Sequence, residues 1–207
     1  MHAFLRKLSA LAFILLVSQT AQAAPIVWSI QAGGNGHSYD AILKTDGITW
    51  QQAEAEAISM GGHLATITSA DENDFVHSLI ATNPAFWVNV GVDTRGPWLG
   101  AFQQPGSPEP NSGWTWVTGE PFDYTNWGTS ANGPTQPQDN PSGEDWLHFF
   151  GGGNSNFADT WNDLHADGNP PNAAPRGYIV EFVPEPGSAS ILLMISLMML
   201  RIKRYRR

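Results

Sequence analysis

The chain has 207 residues, 42% of them hydrophobic and 14% charged, with a formal net charge of −9 and no cysteine. That length can bury one self-sufficient core, and the absence of cysteine excludes disulfides, on which exported domains often rely. The acidic balance repels phosphate backbones and excludes a nucleic-acid partner.

Residues 1–24 read as a secretory signal, with Arg6 and Lys7 ahead of an apolar Leu8–Val17 run and an Ala21-Gln22-Ala23 cleavage site. Ile26 to Ile30 is a strand candidate, followed by a turn at Gly33-Gly34-Asn35-Gly36. Ser38 to Leu43 predicts a second strand. Thr49-Trp50-Gln51-Gln52 has the form of a capping box, opening a helix to about Met60 with Trp50, Ala53 and Ala57 on one face. Gly61-Gly62 ends it. Leu64 to Ile67 reads as a strand. Ser69-Ala70-Asp71-Glu72 is a second capping box, before a helix that turns Phe75, Val76, Leu79 and Ile80 to the core. Phe86 to Val92, Trp98 to Gln103 and a segment at Trp114 are further strand candidates. Trp146 to Phe150 and Gly177 to Phe182 complete the sheet. Helices first and strands after suit an α+β domain.

Between Trp127 and Trp146 lies a long polar loop, 128–143, of the kind that carries function when it has no regular structure. Oxygen-bearing side chains gather there and on the Trp161 segment: Gln136, Gln138, Glu144, Asn162 and Asp163. Such oxygens suit a hard cation such as Ca²⁺, provided the fold brings the loop against the Trp161 strand. The bland alternative is a solvated connection. Asp139 and Asp145 with Glu144 would make a second ion site, against the simpler reading of surface acids. Trp98, Trp114, Trp116, Trp127 and Trp161 read as core residues, since large aromatics dominate core energetics. His63, His77, His148 and His165 show no zinc spacing and read as structural.

After Phe182 the chain changes character. Val183-Pro184-Glu185-Pro186-Gly187 breaks regular structure, and the 12-residue apolar run 189–200 is followed by five basic residues ending at Arg207. The run is short of the roughly 20 residues needed to span a bilayer, while the basic cluster holds its end on the cytoplasmic side. Pro184-Glu185-Pro186, the apolar run and the terminal arginines resemble a PEP-CTERM sorting signal. That resemblance implies a tail, residues 183–207, cleaved by an exosortase in a Gram-negative bacterium after transient anchoring in the inner membrane. Without it, a weak membrane anchor is the default. Seven of the ten cations lie in the two ends, leaving Lys44, Arg95 and Arg176 against all 19 carboxylates. The stretch from Asp40 to Glu185 therefore carries −16.

Trp98-Leu99-Gly100, Tyr124-Thr125-Asn126-Trp127, Gln136-Pro137-Gln138 and Trp161-Asn162-Asp163 occur in that order, with Gln136 eight residues before Glu144. Together they resemble the C-type lectin-like domain, from about Gly36 to Phe182 within a domain of residues 25–182. The resemblance implies an α+β fold with two helices, a mostly antiparallel sheet and a long calcium- and sugar-binding loop. It assigns the ion to Gln136, Gln138, Glu144, Asn162 and Asp163, gives the same side chains the hydroxyls of a bound sugar, and makes Pro137 cis. The family's Glu-Pro-Asn and Gln-Pro-Asp each carry a carboxylate, whereas Gln136 and Gln138 carry none. With only Glu144 and Asp163 charged, the expected calcium affinity is on the order of 10⁻⁴–10⁻³ M. Ala57 with Val180, and Trp146 with Ala166, stand where the family's cysteine pairs would be. The expected function is an exported, calcium-assisted carbohydrate-binding module for cell-surface or extracellular polysaccharide. The alternative is a calcium-independent interaction or matrix-structural module. Glu144 and Asp163 as a glycosidase pair is the outside reading; with no nucleophile–base pair and no cofactor fingerprint, the chain is expected to be non-enzymatic.

Overall fold

The computed structural model describes residues 24–130, 133, 135–138, 143–153, 157–168 and 173–184. The expected leader up to Ala23, Asp139, and the tail from Glu185 through Pro186 to Arg207 lie outside the described residues. Among the described residues one nine-stranded sheet runs in the order β1-β2-β9-β5-β7-β8, with β3 beside β9 and both β4 and β6 beside β5. These strands are β1 Ile26–Val27, β2 Ser38–Leu43, β3 His63–Leu64, β4 Val88–Val90, β5 Asp93–Gln103, β6 Trp114–Trp116, β7 Trp146–Gly151, β8 Thr160–Leu164 and β9 Gly177–Phe182. All pair antiparallel except β5 with β9, which meet in parallel at Trp98 and Tyr178. β2 and β9 pair from Ser38–Phe182 to Leu43–Gly177, tying the two ends of the domain together.

The helices are α1 Trp50–Ser59 and α2 Ala70–Ser78. Thr49 and Gln52 form the reciprocal capping box at the start of α1. Alternation along the strands splits the core in two. Leu99, Phe149, Trp161 and Ile179 pack with Val76 of α2, whereas Trp98, Leu164, Tyr178 and Val180 pack with Trp50, Ala53 and Ala57 of α1. Ala57 and Val180, at the positions of an expected cysteine pair, thus share one apolar cluster, with Trp146 packed against it. Trp98, Trp116 and Trp161 are buried, and Trp114 and Trp127 are half-buried against the core.

Four local expectations change, the first three because a distant or neighbouring polar group takes over. The first strand stops at Val27, and Ser29 caps a 3-10 turn over Ile30–Ala32 that ends on Gly33 at φ 85°. The Leu64 strand ends early because Thr66 donates both its N–H and its Oγ1–H to the buried Glu181 carboxylate, each at 2.9 Å. At α2 only half of the capping box forms. Ser69 accepts from Glu72 N–H, but the Glu72 carboxylate accepts from Thr68 N–H at 2.7 Å and Tyr39 O–H at 2.6 Å instead of turning back to Ser69. Phe86 to Val92 is divided into a 3-10 turn at Pro84–Phe86 and β4, and β5 begins at Asp93 after a two-residue turn with Gly91 at φ 66°. No helix among the described residues is long and apolar enough to cross a membrane.

Candidate functional site

The loop after β6 is held against β8 by its own stem. Trp161 N–H donates to Asn126 O, and Gly128 N–H donates to Trp161 O, each at 2.8 Å. Gln136 N–H then closes on Gly128 O at 2.9 Å, and Thr129 pairs with Thr135. These contacts bring Gln136, Gln138, Glu144 and Asn162 to one cavity of about 390 Å³, whose other wall is the β4–β5 turn with Asp93 and Arg95. Asp163 joins them through its Oδ2, which accepts from Gln138 N–H at 2.8 Å. Pro137 is buried and its peptide bond with Gln136 is cis, as is Glu109-Pro110. Four of the five expected donors therefore line one cavity, and Asp163 is tied to Gln138 by a backbone hydrogen bond.

Among the described residues, two oxygens in this group are buried without a partner, Gln136 Oε1 and Asp163 Oδ1. Stranding a buried acceptor costs about 1–3 kcal/mol, and a cation would satisfy either oxygen. Burial, reinforced by the neighbouring Glu144 charge, pushes the Asp163 carboxyl up to about 8. Among the described residues no group of three or more His, Cys, Asp or Glu side chains is placed to hold a metal. The donor set here is instead two carboxylates and three amides. Oxygen donors of this kind fit calcium.

The profile of the lectin C-type domain matches residues 46–167. The chain belongs to the C-type lectin domain family. It is 28% identical over 146 residues to Snaclec 3 of Sistrurus catenatus edwardsii, covering 70% of this chain and 88% of that protein. It is 34% identical over 86 residues to the type-2 ice-structuring protein of Hemitripterus americanus. That match covers 41% of this chain and 41% of the relative, so the chain spans about two fifths of that protein's length. The herring type II antifreeze protein shares the fold at a TM-score of 0.50 and 19% identity, over 73% of this chain and 94% of that one.

Two residues of this C-type lectin domain escaped the sequence reading. Arg95 lines the cavity, its guanidinium donating to Gly168 O and, at 3.1 Å, to Ala173 O. Burial lowers its pKa while Glu144 raises it, so a fixed positive charge sits within electrostatic reach of a candidate ligand. His148, fully buried on β7, meets Asn162 at 3.1 Å. Neither position follows a metal-ligand spacing. The only signal for His148 was a polar residue inside the apolar run Leu147-His148-Phe149.

Proposed function

We propose that the domain binds carbohydrate through a calcium ion held by Gln136, Gln138, Glu144, Asn162 and Asp163. The observation that carries this reading is that four of the five donors line one cavity, with two buried oxygens of the set, Gln136 Oε1 and Asp163 Oδ1, unpartnered among the described residues. Bound there, the ion would supply open coordination positions for two neighbouring sugar hydroxyls. The protein's share is orientation: the stem pairing with β8 fixes the loop, and Gln138 N–H aims the Asp163 carboxylate. The role is binding rather than catalysis. Arg95 favours the second reading, a calcium-independent interaction or matrix-structural module, because it already places a cation near Glu144. Glycan-array binding should disappear on chelation and return with added Ca²⁺. Binding that persists in chelator, or no binding to any glycan, would select the second reading.

We propose further that the domain is exported to the cell surface or extracellular matrix of a Gram-negative bacterium. The leader of residues 1–24 and the Pro184-Glu185-Pro186 tail support this, with an exosortase as the processing partner and membrane association as a transient state. Mass spectrometry of the mature protein should show an amino terminus near Pro25 and a carboxyl terminus near Pro184 to Pro186. An intact Arg207 on the cell-associated form would indicate a plain anchor.

A further inference from the structure

His148 is enclosed on every side, with its ring edge-on to Trp98 at 5.8 Å and to Phe150 at 6.2 Å. Its Nδ1 lies 2.6 Å from Phe149 O. A carbonyl only accepts, so Nδ1 carries the proton. A neutral imidazole carries one ring proton, so with Nδ1 donating, Nε2 is bare. Facing that bare nitrogen at 3.1 Å is Asn162 Nδ2, which also donates to Asp163 O. Both hydrogens of the Asn162 amide nitrogen are thereby used. What Asn162 has left to present to the cavity it lines is its oxygen, the atom a hard cation requires.

We propose that His148 is a positioning residue of the cation site, holding the Asn162 amide so that its oxygen and not its nitrogen faces the cavity. The inference rests on the calcium reading and deepens it. A side-chain amide is a ligand only in one of its two flipped orientations, whereas a carboxylate presents an oxygen either way. Partners that orient a metal ligand typically change affinity by about 10–100-fold when removed.

Calcium titration calorimetry on the full-length chain tests this with His148→Phe, alone and combined with Asn162→Asp. His148→Phe alone should weaken Ca²⁺ binding about tenfold or more. Beside Asn162→Asp the same change should cost less than about threefold, since the carboxylate needs no orienting and the two sites are coupled. Equal losses in both backgrounds would mean that His148 only packs, and would overturn the proposal. A second measurement needs no substitution and holds even if His148→Phe fails to fold. Nitrogen-15 NMR of labelled histidine in the unsubstituted chain should show Nδ1 protonated and Nε2 bare, and the Nε2–H tautomer overturns the proposal. No Ca²⁺ binding by the unsubstituted chain would instead overturn the calcium reading itself, whatever the tautomer.

Discussion

Calcium at a hundredfold excess over its Kd should raise the melting temperature by about 5–10 °C, and Asp163→Asn should abolish the rise. Binding only to the folded state at that excess adds about 2.7 kcal/mol, and a domain of this size shifts by about 2–4 °C per kcal/mol. Asp163 is the sensitive position because it is almost wholly buried, with Oδ1 unpartnered and Oδ2 fixed by Gln138 N–H. Part of any response could come from screening the acidic surface, so Mg²⁺ at equal ionic strength is the control. It screens comparably but demands tight octahedral geometry and keeps its water. Asp74→Asn, exposed on α2, should leave the Ca²⁺ shift intact. Equal shifts from both ions, or an unaffected Asp163→Asn protein, would show the site to be vestigial.

The same shift should depend on pH in a defined direction. Burial and Glu144 raise the Asp163 carboxyl in the folded, metal-free chain from 3.8 to about 8. Between those values the folded state holds a proton that the unfolded state has lost. Its stabilising share is therefore full below 3.8 and is lost as pH rises through about 8. Calcium requires the ionised carboxylate and must displace that proton below about pH 8. Its stabilising effect should accordingly be larger at pH 8 than at pH 6. Melting curves with and without Ca²⁺ at the two pH values check the sign.

Trp161→Ala should lower the melting temperature by about 6–20 °C and remove the calcium response with it. Replacing a buried Trp by Ala costs about 3–5 kcal/mol, worth about 2–4 °C each in a domain of this size. Trp161 is completely buried and stacks edge-on against Trp116 at 5.9 Å, Tyr124 at 5.4 Å and Trp127 at 6.1 Å. Its Nε1–H donates to Asn73 Oδ1 at 2.8 Å, linking β8 to α2. Its backbone pairs with Asn126 and Gly128, the stem that delivers the site loop. Losing the ring therefore loosens the stem as well as the core. Trp161→Phe keeps most of the stack but strands the Asn73 acceptor, a loss of about 1–3 kcal/mol. A fall below about 2 °C for Trp161→Ala would mean that the aromatic stack contributes little.

Much of this domain is written locally. Ser38–Leu43, Gly177–Phe182 and the Thr49 capping box appear in the structure with the expected boundaries, because strand alternation and cap chemistry act within a few residues. The order of the motifs named the family, and the oxygen-bearing side chains of the loop and the Trp161 strand named the candidate donors. Tertiary structure decided what depends on partners far apart in the chain. Thr66 leaves its strand because Glu181, 115 residues away, offers a buried carboxylate in place of a backbone carbonyl. His148 looked like one of several scattered histidines. It became a partner of Asn162 only when β7 and β8 paired in the register that sets the two opposite each other. Arg95 reached the cavity through the β4–β5 turn, which no spacing foretold. Side-chain type can thus be read from the sequence, but the facing of two groups across strands follows from register, and register is settled only when the whole sheet closes over its core.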